Sequence, residues 1–224
     1  MVVRLAESLD LTLRDRNELL LSSGFAPVYA ESDLDGPELR TIRDAIVAVL
    51  DAHEPYPAVA AKPDGELVAR NAAIDLFLDG AAPELVTPPI NGYRLALHPA
   101  GMAPRIANFP EWGRHVLEAV RAALRRRPDE QLTELIAELE TYVPVAPAGT
   151  DHVGFAVPLR FASDEGELTL LTTLTSFATA VDVTIADLHL EAFLPADEQT
   201  AEVLRQRSQR QRHLSAAAGP EAST

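Results

Sequence analysis

Apolar residues in the first fifty positions recur at three- and four-residue spacing, which predicts helices. Two short helices are expected within residues 2–23, followed by an end at Gly24, a residue that readily takes the left-handed backbone conformation. A third, strongly amphipathic helix is expected over 39–50. Its apolar face comprises Leu39, Ile42, Ala45, Ile46, Val49 and Leu50.

The pattern changes near residue 56, where short apolar runs flank a turn. The runs 59–61 and 67–69 enclose residues 62–66, whose Pro-Asp-Gly sequence favours a tight turn, so a β-hairpin is expected. Asn71 follows at once and is a suitable N-cap for a short helix that ends at Gly80.

The rest of the chain begins with loops and short helices over 81–108, continues with two long helices and then takes on strand character. The predicted elements are helices over 110–126 and 129–142, strands over 154–162, 167–177 and 188–194, and a last helix over 197–213. This order predicts an α+β fold, an antiparallel sheet with helices packed on one face, preceded by a short helical stub. It resembles a PAS-like fold, and the hairpin, asparagine and helix over 64–71 look like the opening of one.

Composition narrows the functional classes. The 224 residues and 47% hydrophobic content suit one main domain with terminal extensions. No cysteine is present, which excludes disulfides, thiolate metal sites and cysteine nucleophiles. With no long apolar stretch and no leader, we expect a cytoplasmic protein without membrane insertion. Lys62 is the only lysine, and the bias to arginine, alanine and proline is typical of a GC-rich genome.

Several runs, in shared order, resemble the ligand-binding domain of MmyB-like transcription regulators of actinobacterial type. In that family the domain follows an XRE-type helix-turn-helix. The runs are 13–21, 53–58, 91–101, 108–112, 177–184 and 195–200. The resemblance divides the chain into a C-terminal remnant of a helix-turn-helix over 1–30, a PAS-like ligand-binding domain over 31–205 and a flexible tail over 206–224.

This resemblance implies a ligand-sensing and dimerisation role in a DNA-binding regulator. Because the recognition helix of the helix-turn-helix would lie upstream of Met1, DNA binding is expected only through that missing part. A net charge of −15 also repels the phosphate backbone. A homodimer is expected, with the helix over 39–50 or the preceding stub as its interface.

The resemblance also implies a pocket for a fatty-acid-like or other apolar small molecule. Its expected lining comprises Phe77, Leu78, Leu97, Trp112, Val116, Phe155 and Leu171. Arg94, His98 and Trp112 are expected at the ligand head group, since arginine offers a fork to a carboxylate. The competing interpretation is that the apolar residues are ordinary core, that Arg94 is exposed and that His98 caps a loop before Pro99.

Other chemistry has little support in the sequence. The six histidines form no compact ligand cluster, and no nucleophile elbow, phosphate loop or dinucleotide motif occurs, so we expect no metal, no cofactor and no catalytic residue. His189 and Glu191 share one face of a strand, and a solvated or capped pair is the favoured interpretation.

Two alternatives stay open. One is a ligand-free dimerisation or protein-interaction module. The other is a small hydrolase-type enzyme, which predicts a buried carboxylate or histidine with a perturbed pKa facing a polar pocket.

Overall fold

A five-stranded antiparallel sheet forms the centre of the fold. The computed structural model describes residues 2–126, 128–144, 156–177 and 179–217. The strands are β1 Ala58–Ala61, β2 Leu67–Arg70, β3 Leu159–Ser163, β4 Gly166–Ser176 and β5 His189–Pro195, in the order β2-β1-β5-β4-β3. The last strand in the chain therefore lies in the middle of the sheet. The expected α+β, PAS-like fold class is confirmed.

Helices surround this sheet and begin and end close to where the sequence pattern changes. They are α1 Val2–Ser8, α2 Leu13–Ser22, α3 Arg40–Asp51, α4 Asp75–Leu78, α5 Pro83–Val86, α6 Gly92–Leu97, α7 Phe109–Arg126, α8 Glu130–Glu140, α9 Val183–Asp187 and α10 Glu198–Ala217. Gly24 and Gly80 have positive φ angles of 80° and 75°, as the predicted helix ends require. Within the described residues, no helix combines the length and apolarity needed to cross a bilayer.

The two faces of the sheet support two hydrophobic clusters, because successive strand residues point to opposite sides. Leu190 and Ala192 of β5 pack in the smaller cluster with Ile46 and Leu50 of α3. Phe193 of β5 belongs to the larger cluster, which the helices from α4 to α8 cover. The central strand is thus buried on both sides, and α3 forms a thin second layer behind the sheet.

Phe77 of α4 anchors the larger cluster. Its ring lies edge-on to Phe161 of β3 and Phe193 of β5, with ring centroids 5.2 and 4.9 Å apart. The Arg105 guanidinium lies 4.7 Å from the centroid of the Phe161 ring and donates to the carbonyl of Phe77 at 2.8 Å. These contacts fix α4 against the two strands.

Asn71 has a different role from the one expected. It precedes a 3₁₀ turn over Ala72–Ile74 but makes no side-chain cap bond. Instead its Oδ1 accepts from the Ala58 amide at 3.0 Å, and its Nδ2 donates to the carbonyls of Leu50 and Tyr56 at 3.1 and 2.8 Å. Buried backbone groups at the end of α3 and the start of β1 need partners, and this demand outweighs local capping.

Helix α9 is a short helix that begins after Asp182 and ends at Asp187. Asp182 caps it by accepting from the Thr184 amide at 2.9 Å, and also accepts from the Ser32 hydroxyl at 2.7 Å. Asp187 accepts from Arg14 Nε of α2 at 2.7 Å. Both aspartates therefore attach the N-terminal segment to α9, the helix that leads directly into β5.

The C-terminal helix begins where expected, since Asp197 accepts from the Thr200 amide at 2.7 Å. It continues past the expected boundary at 205, and Arg207 and Arg210 bond to Glu165 in the β3–β4 turn. Helical structure therefore extends into residues expected to form a flexible tail. The division into domains stays a prediction.

Candidate functional site

An apolar cavity of about 80 Å³ lies between the sheet and α4, α6 and α7. Its lining is built mainly of aliphatic and aromatic side chains with a few polar groups. The lining residues are Val59, Ala61, Gly65, Leu67, Ile74, Phe77, Gly92, Tyr93, Leu95, Ala96, Met102, Trp112, Val116, His189, Glu191 and Phe193. This composition is the one that small-molecule sites commonly have.

Strand β5 supplies the polar part of the wall. His189, Glu191 and Phe193 alternate along the strand and so point to the cavity side. The direct neighbours of Glu191 on the adjoining strands are Val59 and Leu174. Glu191 therefore lies between apolar residues, on the strand that is hydrogen-bonded on both sides.

The start of α6 positions Tyr93 opposite β5. Asn91 caps α6 by accepting from the Arg94 amide at 3.0 Å, and its Nδ2 donates to the Asp64 carbonyl at 2.8 Å. Gly65 has φ +86°, and a Cβ built there would lie 2.4 Å from the Tyr93 ring. The turn glycine is needed both for its backbone conformation and for the close approach of the tyrosine.

The start of α7 positions Trp112, which is 5% exposed. Asn108, just before α7, donates to the carbonyl of Pro158 and accepts from the amide of Arg160, which joins the helix to β3. Within the described part of the chain, the Trp112 indole N–H has no hydrogen-bond partner. The side chain of Trp112 lines the cavity.

Burial controls the ionisation of the polar lining. Desolvation raises the pKa of Glu191 from 4.5 to about 7 and lowers the pKa of His189. Desolvation also raises the pKa of Tyr93 to about 12, with a smaller contribution from the charge of Glu191. At neutral pH the wall thus presents a neutral tyrosine, a neutral histidine and a partly ionised carboxyl group.

The apolar residues expected to line a pocket fall into three groups. Phe77, Trp112 and Val116 line the cavity. Leu78 and the fully buried Leu97 pack in the surrounding cluster instead. Leu171 is 38% exposed and, by its register opposite Leu194, lies on the other face of the sheet. Phe155 lies outside the described residues.

Two of the residues expected at a ligand head group lie elsewhere. Arg94 is exposed and forms a bidentate pair with Glu138, with Nε–Oε1 and Nη2–Oε2 distances of 2.9 and 2.8 Å. His98 Nδ1 accepts from the Ala100 amide at 3.0 Å, and its ring lies against Tyr142. Both arrangements match the competing structural interpretation, and neither residue lines the cavity.

His189 and Glu191, expected as a solvated or capped pair, are both partly exposed, and their polar strand face borders the cavity. Both line the cavity, and neither has a hydrogen-bond or ion-pair partner among the described residues. Their alternation was visible in the sequence, but a polar face of a strand ordinarily points to solvent. Among the described residues no cluster of histidine and acidic side chains could hold a metal ion.

A second, larger groove of about 310 Å³ lies where the N-terminal segment meets the domain. Its wall includes Arg14, Glu31, Lys62, Asp129 and Asp187. Arg14 is already paired with Glu31 and Asp187, and Lys62 with Glu66. The groove is therefore better explained by docking of α2 than by an apolar ligand.

The comparison with protein families gives one match. The model of the MmyB-like transcription regulator ligand binding domain matches residues 42–206. No curated protein matches the chain. The matched range contains the whole lining of the cavity and all five strands.

Proposed function

The chain belongs to the family of MmyB-like transcription regulator ligand binding domains, and from this we propose that it senses an apolar small molecule in the cavity beside β5. The observation that carries the proposal is the apolar cavity itself, enclosed by the sheet and by α6 and α7. The family is one of ligand-binding domains of regulators rather than a class of enzymes.

Aromatic side chains form much of the cavity wall. Phe77, Tyr93, Trp112 and Phe193 surround it and offer extensive apolar contact area. Such a wall suits a fatty-acid-like or other mostly apolar molecule, the class that the family resemblance implies. Of the residues expected to meet a head group, Trp112 is the one that lines the cavity.

The size of the cavity indicates that the ligand must open it. Ligand pockets commonly measure about 300–1,000 Å³, and a cavity of about 150 Å³ holds a benzene ring. At about 80 Å³ the present cavity accepts only the end of a longer molecule. Binding would therefore move α6 or α7 away from β5, and a ligand that favours such an opened arrangement shifts the population toward it.

Strand β5 offers a route from the cavity to the N-terminal segment. It follows α9 directly, and α9 is tied to α2 through Asp187 and Arg14 and to the preceding link through Asp182 and Ser32. A displacement of β5 would thus change the position of α2, the segment that resembles the end of a helix-turn-helix. We propose that this is how ligand binding alters the geometry of a DNA-binding dimer.

The test is native mass spectrometry of gently purified protein, followed by extraction of the bound molecule. We expect a co-purifying apolar molecule that Val116→Phe excludes by filling the cavity. Ala119→Phe, on the exposed side of α7, is the matched control and should retain the molecule. A folded wild-type protein that carries nothing, and whose Trp112 fluorescence no apolar probe changes, would contradict the proposal.

The small volume gives some support to a second candidate, a ligand-free dimerisation or protein-interaction module. That module should behave identically with and without Val116→Phe in every assay of association. The enzyme alternative has less support. A carboxyl group with a raised pKa is present, but the described lining is mostly apolar and includes no serine, threonine or cysteine to act as a nucleophile.

A further inference from the structure

Glu191 is a carboxyl group in the mostly apolar wall of the cavity. It is partly buried in the middle of β5, between Val59 and Leu174 on the neighbouring strands and between His189 and Phe193 on its own. Among the described residues it has no hydrogen-bond or ion-pair partner. A carboxyl group without a protein partner in a mostly apolar wall is available to a charged group of a ligand, so its presence there bears on which ligand the cavity takes.

The groups that face Glu191 offer it no positive charge. Tyr93 approaches from α6 and stays protonated, His189 on the same strand is neutral because burial lowers its pKa, and Asp64 near Tyr93 is acidic. The described lining contains no arginine and no lysine. Within the described lining, Glu191 therefore has no positively charged partner, and a bound ligand could supply one.

A carboxylate ligand fits this wall poorly. Its charge would lie beside Glu191, and like charges in a desolvated site force one of the two groups to hold a proton. An ammonium group fits well, because Glu191 can accept its hydrogen bonds. The rings of Phe77, Tyr93, Trp112 and Phe193 around the cavity resemble the aromatic enclosures that bind ammonium groups.

We infer that Glu191 is the specificity-determining residue of the cavity and selects an amphiphilic amine, an apolar body with a protonated nitrogen, over a fatty acid. This inference rests on the proposed sensing function and names the chemical class of its ligand. The nitrogen lies at Glu191 and the apolar part follows the aromatic wall toward Trp112. Binding restores the ionised state of Glu191 and releases the proton that it holds in the empty cavity.

The test compares straight-chain alkylamines from butyl to decyl with the carboxylic acids and alcohols of equal chain length. Binding to the intact chain is followed by calorimetry and by the fluorescence of Trp112, the single tryptophan, which reports occupation of the cavity. We expect the amines to bind about tenfold or more tightly than the acids, the advantage of a charge-assisted hydrogen bond. At pH 6, each amine bound should release up to about one proton.

Two variants, each of which removes one negative charge, separate the role of Glu191 from a general electrostatic effect. Glu191→Gln should abolish the preference for amines and the proton release. Glu134→Gln, on the exposed side of α8, should leave both unchanged. The wild-type proton release is an independent measurement that needs no variant to fold.

The outcomes distinguish this inference from the function on which it rests. Acids that bind as tightly as amines, or an amine preference that survives Glu191→Gln, would show that Glu191 does not select the ligand, while sensing of an apolar molecule would stand. If no amine, acid or alcohol changes the Trp112 fluorescence, both the inference and the proposed function are wrong.

Discussion

At the scale of single residues, two polar side chains in the interior have opposite effects. Asn71 is 2% exposed and satisfies three backbone groups, whereas Glu191 faces the cavity and satisfies none among the described residues. The first should stabilise the fold and the second should destabilise it when ionised. Both effects can be measured by unfolding.

Replacing Asn71 by alanine should lower the free energy of unfolding by about 2–4 kcal/mol, because buried backbone groups at Leu50, Tyr56 and Ala58 lose their partners. Asp129→Ala, which removes the single cap bond from Asp129 to the Leu132 amide at the start of α8, is the comparison and should cost about 1 kcal/mol. It replaces a residue with one side-chain bond rather than three. Urea unfolding followed by circular dichroism measures both. An Asn71→Ala protein as stable as Asp129→Ala would refute this role.

Glu191 should make stability fall as pH rises. Its pKa is raised from 4.5 to about 7 in the folded state, so the folded chain holds a proton that the unfolded chain has lost. The stabilising effect is complete below pH 4.5 and disappears as pH rises through about 7, with a total of about 3 kcal/mol at most. His189, whose pKa is lowered, acts in the opposite direction and lowers stability as pH falls below 6.5.

The Glu191→Gln variant isolates the first effect. The difference in unfolding free energy between variant and wild type should grow from pH 4.5 to pH 8, with the variant the more stable. The contribution of His189 cancels in this difference. A difference independent of pH would mean that Glu191 is solvated in the folded protein.

At the scale of elements, the junction between α2 and α9 is the point at which the N-terminal segment meets the domain. Arg14 and Asp187 have side chains about one fifth exposed, so Asp187 would lose a charged partner in a partly desolvated position. Arg14→Ala should therefore lower the free energy of unfolding by about 1–3 kcal/mol and speed amide hydrogen exchange in α1 and α2. Arg4→Ala, on the exposed side of α1, is the control. Equal exchange in the two variants would show that the Arg14–Asp187 pair does not hold α2 against α9.

The elements also show what the sequence could and could not predict. Periodicity located the hairpin over residues 58–70 and the long helices α7 and α8, because each buries one apolar face. It did not reveal that β5 is covered on both sides, since that depends on α3 and α7, which lie far away in the chain. Partners such as Arg14 and Asp187 are separated by 173 residues, and no local pattern encodes their contact.

The candidate site was predictable only in part, for the same reason. Phe77, Trp112 and Val116 occupy periodic apolar positions and were expected in the lining. The alternation along β5 predicts that His189 and Glu191 share a face, but whether that face borders a cavity depends on the distant helices α6 and α7. Arg94 was chosen for its chemistry, yet Glu138 on α8 provides a partner that the sequence alone does not bring near.

At the scale of the whole molecule, we predict a homodimer through α3. This helix buries Ile46 and Leu50 against the sheet but leaves Val47 and Val49 48% and 40% exposed. Val47→Glu should give a monomer in light scattering, whereas Val181→Glu, in the segment before α9, should not. A wild-type mass that stays monomeric at every concentration would contradict this prediction.

The net charge of −15 predicts weak and non-specific binding of this chain to DNA, since the protein field opposes the phosphate backbone. Fluorescence anisotropy with a labelled duplex at physiological salt measures it. Fusion of a helix-turn-helix domain to the N-terminus should confer specific binding. Nanomolar affinity of the chain by itself for one sequence would contradict the prediction.

The central position of β5 limits the kind of signal that the domain can transmit. A strand that is hydrogen-bonded on both sides cannot slip by one residue without exchanging its two faces, which would expose Leu190 and Ala192 to the cavity and remove Glu191 from it. A slip by one residue is therefore excluded, and a ligand that moves α6 or α7 can act on α9 by changing the twist of β1, β5 and β4 together. The signal would then be a rotation of α9 about the axis of β5. The angle of that rotation would increase with the extent to which the ligand bends the sheet.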